Sequence, residues 1–121
     1  PGGEIAGTID SIGDGVTGWE IGDRVIAMLG HGGLCEKVIA DPAKLYRLPE
    51  GRSFAEGASL ILTYGTTIHA LLDRGHIQAG QTLLVLGAAG GVGLAAIELG
   101  KAFGFPGLGR FARNLLGGLM R

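Results

Sequence analysis

The chain has 121 residues, of which 46% are hydrophobic and 17% charged, and its net charge is −1. This composition predicts a folded chain of about one domain, and the balanced charge excludes an extended nucleic-acid-binding surface. The single cysteine, Cys35, excludes an internal disulfide and a multi-cysteine zinc site. Together with the lack of an opening signal peptide, it leads us to expect a cytoplasmic setting.

The first third of the chain has the pattern of β structure. Short apolar segments with β-branched residues alternate with glycine-rich turns. Several short strands at this spacing predict a small barrel-like or sandwich unit. The predicted strand segments lie within residues 5–12, 24–29, 34–40 and 44–48.

Helical signals follow this β segment. Ser53 and Glu56 are spaced as a capping box, in which each side chain accepts a backbone hydrogen bond from the other residue. They predict a helix over residues 54–62. Gly65 predicts an interruption, and residues 66–73 predict a second helix.

A glycine turn then follows a continuous apolar run at residues 83–86. An apolar run without alternation predicts a strand covered on both faces, as in a parallel sheet. Gly87, Gly90 and Gly93 punctuate the turn, and an apolar helix is predicted after it. Strand, glycine turn and helix together bring free backbone N–H groups to the positive end of a helix, where a phosphate fits. A close strand–helix turn without a ligand is the alternative.

Residues 77–97 carry no charge, and this length is about enough to span a bilayer. Gln78, Gln81 and several glycines interrupt the stretch. We therefore expect turn, strand and helix here, and no membrane partner.

Five motifs occur in an order that resembles a known family. They closely resemble the zinc-independent, zeta-crystallin-like quinone oxidoreductases of the medium-chain dehydrogenase/reductase superfamily, and also the enoyl-reductase domains of polyketide synthases. The resemblance covers about residues 1–104. The motifs are GEIAG at 3–7, GDGV at 13–16, GDRV at 22–25, LPEGRSF at 48–54 and AAGGVG at 88–93.

This resemblance implies an α/β fold in which part of a GroES-like β-barrel precedes the first βα unit of a Rossmann fold. Residues 1–52 would belong to the GroES-like catalytic domain, 53–80 to a helical connection and 81–104 to the start of the nucleotide-binding domain. Residues 105–121 form a tail without a family match. Whole relatives are more than twice as long, so the chain resembles a truncated piece of such an enzyme.

The resemblance also implies hydride transfer from NADPH, with NADH left open, to a quinone or enone. Thr66 would lie beside the nicotinamide. The pyrophosphate would meet the backbone of Ala89, Gly90, Gly91, Val92 and Gly93. No catalytic side chain is predicted, and no zinc is expected, because zinc-dependent relatives place a histidine between the residues that are Gly3 and Glu4 here. The alternative is a catalytically silent fragment that only binds or assembles, and we expect this chain alone to be inactive.

Several residues carry two interpretations. Glu4 is expected to make a structural hydrogen bond rather than to bind a metal, and Asp23 and Arg24 to form a turn salt bridge rather than to bind substrate. Tyr64 is expected to pack as an aromatic rather than to touch nicotinamide, and His69 to be structural. Helical spacing in the tail favours a packing helix or a disordered end over membrane-surface binding, at Leu108, Phe111, Leu115 and Leu119. Unpaired sheet edges predict a homo-oligomer.

Overall fold

A computed structural model describes residues 1–105. Its first compact unit, Pro1–Leu62, contains a three-stranded antiparallel sheet in chain order. The strands are β1 (Glu4–Thr8), β2 (Arg24–Met28) and β3 (Leu45–Arg47), and a 3₁₀ turn (Pro42–Lys44) precedes β3. Residues 1–105 thus show a small sheet with helices, and three of the four predicted strand segments contain a strand.

The register of the sheet gives it two distinct faces. Ala6 is opposite Ile26, which is opposite Tyr46, so these residues share one face. The short helix α1 (Phe54–Gly57) packs on this face. A Cβ atom on Gly57 would lie 2.7 Å from Cγ2 of Ile26, so the backbone of α1 rests directly on the sheet. The centre of the sheet is the core, because Val25, Ile26 and Ala27 are all buried.

The predicted capping box starts α1. Ser53 Oγ accepts the Glu56 N–H at 3.2 Å, and the Glu56 carboxylate accepts the Ser53 N–H at 2.7 Å. This reciprocal pair satisfies two N–H groups that the helix itself cannot. The helix is shorter than the predicted span of 54–62, because α1 ends at Gly57 and a turn follows.

The prediction of a salt bridge between Asp23 and Arg24 is wrong, because Asp23 has a different arginine as its partner. Asp23 pairs with Arg47, whose Nη1 lies 2.9 Å from Asp23 Oδ2. Consecutive residues of a strand point to opposite faces, and Val25 is opposite Arg47, so Asp23 and Arg47 share a face. Arg24 points to the other face, where its guanidinium stacks 4.7 Å from the centre of the Phe54 ring.

The second unit begins at Thr63 and is helical. Helix α2 (Ile61–Ile68) runs across the division between the units and continues as a π-helical segment (His69–Arg74). Gly65 therefore does not interrupt the helix, because neighbouring residues on both sides keep the helical hydrogen bonding. Helix α3 (Gly91–Ala102) follows the glycine turn, as predicted.

Gly104 ends α3 in a left-handed conformation, with φ of +77°. The N–H of Phe105 donates to the carbonyl of Gly100 at 3.0 Å, and that of Gly104 to Lys101 at 3.1 Å. This pair of bonds is the Schellman motif, which satisfies carbonyls at the end of a helix. Phe105 is buried and meets the Phe103 ring edge-on.

Two predicted strands are not formed in the described part of the chain. Residues 34–40 form no strand pairing there, and Leu34 and Ile39 are 77% and 97% exposed. Residues 83–86 also pair with nothing, and Leu86 is 77% exposed. A strand needs hydrogen-bonding neighbours, and residues 1–105 supply none to either segment. The predicted Rossmann unit therefore stays a prediction, and the tail predictions lie outside the described residues.

No helix among residues 1–105 has the length and apolar character needed to cross a bilayer.

Candidate nucleotide-binding site

The glycine turn is held by its own backbone. Gly87 has a φ of +72°, which favours glycine, and its carbonyl accepts the N–H of Gly90 at 3.0 Å. Ala88 is buried beneath the turn, while Ala89 and Gly90 are exposed. The chain therefore reverses here in a tight turn whose outer side faces solvent.

Gly93 brings α3 against this turn. A Cβ atom on Gly93 would overlap the carbonyl oxygen of Gly87 and lie 2.8 Å from the Cα atom of Ala88. Both are backbone atoms, which cannot rotate away as a flexible side chain could. Only glycine therefore fits at this position, the third of the glycines in the predicted spacing.

The start of α3 has no side-chain cap. Gly90 is the N-cap residue, and the first helical bond runs from the Leu94 N–H to the Gly90 carbonyl at 2.8 Å. Among the described residues, the N–H groups of Gly91, Val92 and Gly93 have no acceptor, and the first turn contains no acidic residue. The partial positive charge of this helix end is thus met neither by a side-chain cap nor by an acidic residue of the first turn.

Two threonines of α2 contact the start of α3. The Thr67 hydroxyl is 2.7 Å from the Thr63 carbonyl oxygen and 3.3 Å from that of Val92. A Cβ atom on Gly91 would lie 3.0 Å from Cγ2 of Thr63. Thr63 and Thr67 are one helical turn apart and so meet α3 with the same face of α2.

The structure brings most of the predicted site residues together. Gly93 is buried in the turn, whereas Ala89, Gly90, Gly91 and Val92 are exposed around it. Thr66 is exposed on α2, and no hydrogen bond joins its side chain to the turn among residues 1–105. The residue that does reach α3 is its neighbour Thr67, which was not among the predicted site residues. The i, i+4 spacing of Thr63 and Thr67 was the available signal.

Two other side-chain pairs clarify residues with two interpretations. The Tyr64 hydroxyl hydrogen-bonds to the Glu98 carboxylate, so Tyr64 bridges α2 and α3 through its polar end rather than by ring packing alone. His69 Nδ1 lies 2.8 Å from Asp73 Oδ2, and both side chains are largely exposed. The pairing links successive turns of the same helical segment.

A cavity of about 520 Å³ lies elsewhere in this unit and contains none of the predicted site residues. Its polar side chains are Gln81 and Thr82, and glycine or aliphatic residues supply the rest. Within residues 1–105, no three His, Cys, Asp or Glu side chains gather in a group that could hold a metal ion. The uncapped start of α3 is therefore the better candidate for binding a charged ligand.

Residues 1–50 match the alcohol dehydrogenase GroES-like domain. The chain is 39% identical to a quinone oxidoreductase of Pongo abelii over 110 residues, which are 90% of this chain and 33% of that protein. The chain thus spans about a third of the length of the curated relatives it matches.

Solved structures show the same relationship. A probable oxidoreductase from Mycobacterium abscessus is 43% identical, with a TM-score of 0.81 over 87% of this chain and 34% of its own. The CurK enoyl reductase is 34% identical, with a TM-score of 0.79 over 93% and 36%. A mycobacterial protein complexed with NADPH is 30% identical, with a TM-score of 0.77 over 86% and 33%.

Residues 1–50 thus carry a GroES-like domain of the alcohol dehydrogenase type, and the chain is similar to quinone oxidoreductases and to oxidoreductases of solved structure. The curated quinone oxidoreductases are among its similar proteins, so the resemblance carried by the ordered motifs is confirmed.

Proposed function

We propose that this chain is part of an oxidoreductase that transfers hydride from NADPH to a conjugated carbonyl, in a quinone or an enone. The observation that carries the proposal is the uncapped start of α3 behind the glycine turn. Three N–H groups converge there without an acceptor among the described residues. The similarity to quinone oxidoreductases and to an enoyl reductase supports the substrate class.

The residues present fit a dinucleotide pyrophosphate. Gly90 and Gly91 have no side chain and are exposed, so an anion can approach the backbone directly. The N–H groups of Gly91, Val92 and Gly93 would hold its oxygens, and Ala89 would border the site. We propose that residues 81–104 form the first βα unit of a Rossmann domain, in which a pyrophosphate binds at this helix start.

The remaining roles are positional. Bound NADPH supplies the hydride itself. Thr66, which is exposed on α2, would orient the nicotinamide ring. The protein would act mainly by holding two reactants in line, which lowers the entropic part of the barrier. No acid or base side chain is assigned.

Calorimetric titration of the 121-residue chain with NADPH and with NADH tests the cofactor. Gly90→Ala adds a methyl group to the exposed turn while meeting the Gly87 carbonyl only at 3.5 Å, so the variant should fold and bind less tightly. Gly7→Ala is the matched control, because a Cβ there meets nothing within 4 Å. Equal affinity of all three proteins for NADPH would remove this turn from the proposal.

The activity is tested in the source polypeptide that carries this sequence. We expect NADPH oxidation that depends on an added quinone or enone. The loss of nicotinamide absorbance measures this oxidation. No turnover with either class of acceptor would overturn the proposed reaction.

A second candidate function is a silent module that binds or assembles without catalysis. The observation in its favour is that residues 83–86 pair with no other strand in the described part of the chain. Millimolar or absent NADPH binding in the same titration favours this module, whereas micromolar binding favours a working nucleotide site.

A further inference from the structure

The Thr67 hydroxyl is the polar side-chain group most deeply enclosed near the start of α3. Thr67 is 2% exposed, and its oxygen lies within hydrogen-bond distance of two carbonyl oxygens. A threonine within a helix commonly donates to the carbonyl four residues earlier, and the 2.7 Å contact with Thr63 is of this kind. The 3.3 Å contact with Val92 is different, because it reaches a separate helix.

The Val92 carbonyl belongs to the same peptide group as the Gly93 N–H. The peptide group is planar and trans, so its C=O and N–H point in opposite directions. The Thr67 hydroxyl has a single proton, which the Thr63 and Val92 oxygens share, and the share on the Val92 oxygen adds a restraint on the direction of the Gly93 N–H. That N–H is one of the three without an acceptor among residues 1–105. Donation to the oxygen also polarises the peptide group and strengthens its N–H as a donor.

Thr63 restrains the neighbouring residue from the same helix face. Its methyl group occupies the space next to Gly91, where a Cβ would lie 3.0 Å away. The two threonines thus set the position of Gly91 and the orientation of the peptide that links Val92 to Gly93. Thr67 itself is buried, so it acts on the turn through the backbone of α3.

We propose that Thr67 is a positioning residue for the anion-binding turn: its buried hydroxyl aligns the Gly93 N–H toward the pyrophosphate. This inference rests on the proposed function, because it assigns Thr67 to the same nucleotide site. Thr67 acts through the backbone of α3, so its removal lowers the affinity for any pyrophosphate-bearing ligand and not for the nicotinamide in particular.

The test compares Thr67→Val, Thr67→Ser and Thr82→Val in the 121-residue chain. Valine keeps the shape of threonine without the donor, and serine keeps the donor. Thr82→Val is the matched control, because it makes the same exchange at an exposed position in the same unit. Backbone amide NMR of Gly91, Val92 and Gly93 follows titrations with inorganic pyrophosphate and, separately, with NADPH.

We expect T67V to bind both ligands about tenfold more weakly than the parent chain, the size expected for one buried hydrogen bond. T67S should bind within about threefold of the parent, and T82V should match it. The Gly93 amide should shift on titration in the parent and T67S, and much less in T67V. Should T67V not fold, Thr67→Cys replaces it, because a thiol is a weak donor.

T67V that binds both ligands like the parent, with the same Gly93 shift, would overturn the inference. If the parent chain binds pyrophosphate but does not bind NADPH, the proposed cofactor is refuted. The pyrophosphate titrations of the variants then decide the role of Thr67. Binding of neither ligand by the parent would overturn both proposals.

Discussion

Gly93 lies so close to Gly87 that the carbonyl oxygen of Gly87 occupies the place of a Cβ atom on Gly93. The contact joins Gly87, the first glycine of the turn, to Gly93, the third residue of α3. The turn and the start of the helix therefore pack together through their backbones. Its neighbour Gly90 is different, because a Cβ there would meet the same oxygen at an ordinary 3.5 Å.

Gly93→Ala should therefore destabilise the protein by about 2 kcal/mol, the cost of inserting a methyl group where only backbone can yield. Gly90→Ala should cost less than about 1 kcal/mol, since it only replaces glycine by a poorer N-cap residue. Urea unfolding of the two variants and the parent measures the difference. Equal midpoints for both variants would contradict the close approach.

The sequence predicted those elements that depend on interactions between residues close together in the chain. The Ser53–Glu56 capping box, the strand from Arg24 and the helix after the glycine turn all follow from local hydrogen bonding and apolar spacing. The segments at 34–40 and 83–86 look equally strand-like, but a strand exists only where another strand pairs with it. Composition does not contain that information.

The same distinction applies to the site. The turn at Gly90 and Gly93 was predictable, because glycine spacing is a local signal. The choice between the adjacent Thr66 and Thr67 had only the i, i+4 spacing of Thr63 and Thr67 as a local signal. The rotation of α2 decides which one faces α3. The partner of Asp23 likewise follows from the strand register and not from sequence proximity.

Glu4 carries a structural hydrogen bond, as the sequence analysis expected. Its Oε1 accepts the backbone N–H of Leu62 at 2.7 Å, in the first turn of α2. Glu4→Ala should lower the free energy of unfolding by about 1 kcal/mol, because that N–H loses its acceptor. Glu4→Gln, which keeps an acceptor oxygen, should lose less, and denaturant titration compares the two.

The alternative role for Glu4 as a metal ligand makes a different prediction. A chelator would then lower the melting temperature of the parent chain and leave that of E4A unchanged. We expect the chelator to have no effect on either protein.

Asp23 should make stability depend on pH in the acid range. The Glu20 N–H and, after it, the Arg47 guanidinium stabilise the carboxylate and hold the pKa of Asp23 below its ordinary value of 3.8. Because the pKa is lower in the folded state, this stabilisation is present above the unfolded-state pKa and is lost as pH falls through the folded-state pKa.

Asp23→Asn should therefore flatten the fall in denaturation midpoint between about pH 5 and pH 2. Arg47→Gln should flatten it less, because the Glu20 N–H is the larger cause and remains. Circular dichroism melts in denaturant at several pH values measure the slopes. Identical slopes for the parent and both variants would show that Asp23 has no part in the acid response.

We propose that the outer edge of β1 pairs with a second copy of the chain. In the described residues β1 pairs only with β2, so its other side presents unpaired backbone groups, which are a template for another strand. The Leu29 N–H donates to the Gly3 carbonyl, and hydrogen-bonded pairs alternate along an antiparallel ladder, so the N–H of Thr8 points away from β2.

Thr8→Pro should remove this outward donor without disturbing the sheet, whereas Thr8→Val keeps it. Analytical ultracentrifugation over a range of concentrations should show association of the parent and T8V, and weaker association of T8P with an unchanged melting temperature. A parent chain that sediments as a monomer at every concentration would refute pairing through this edge.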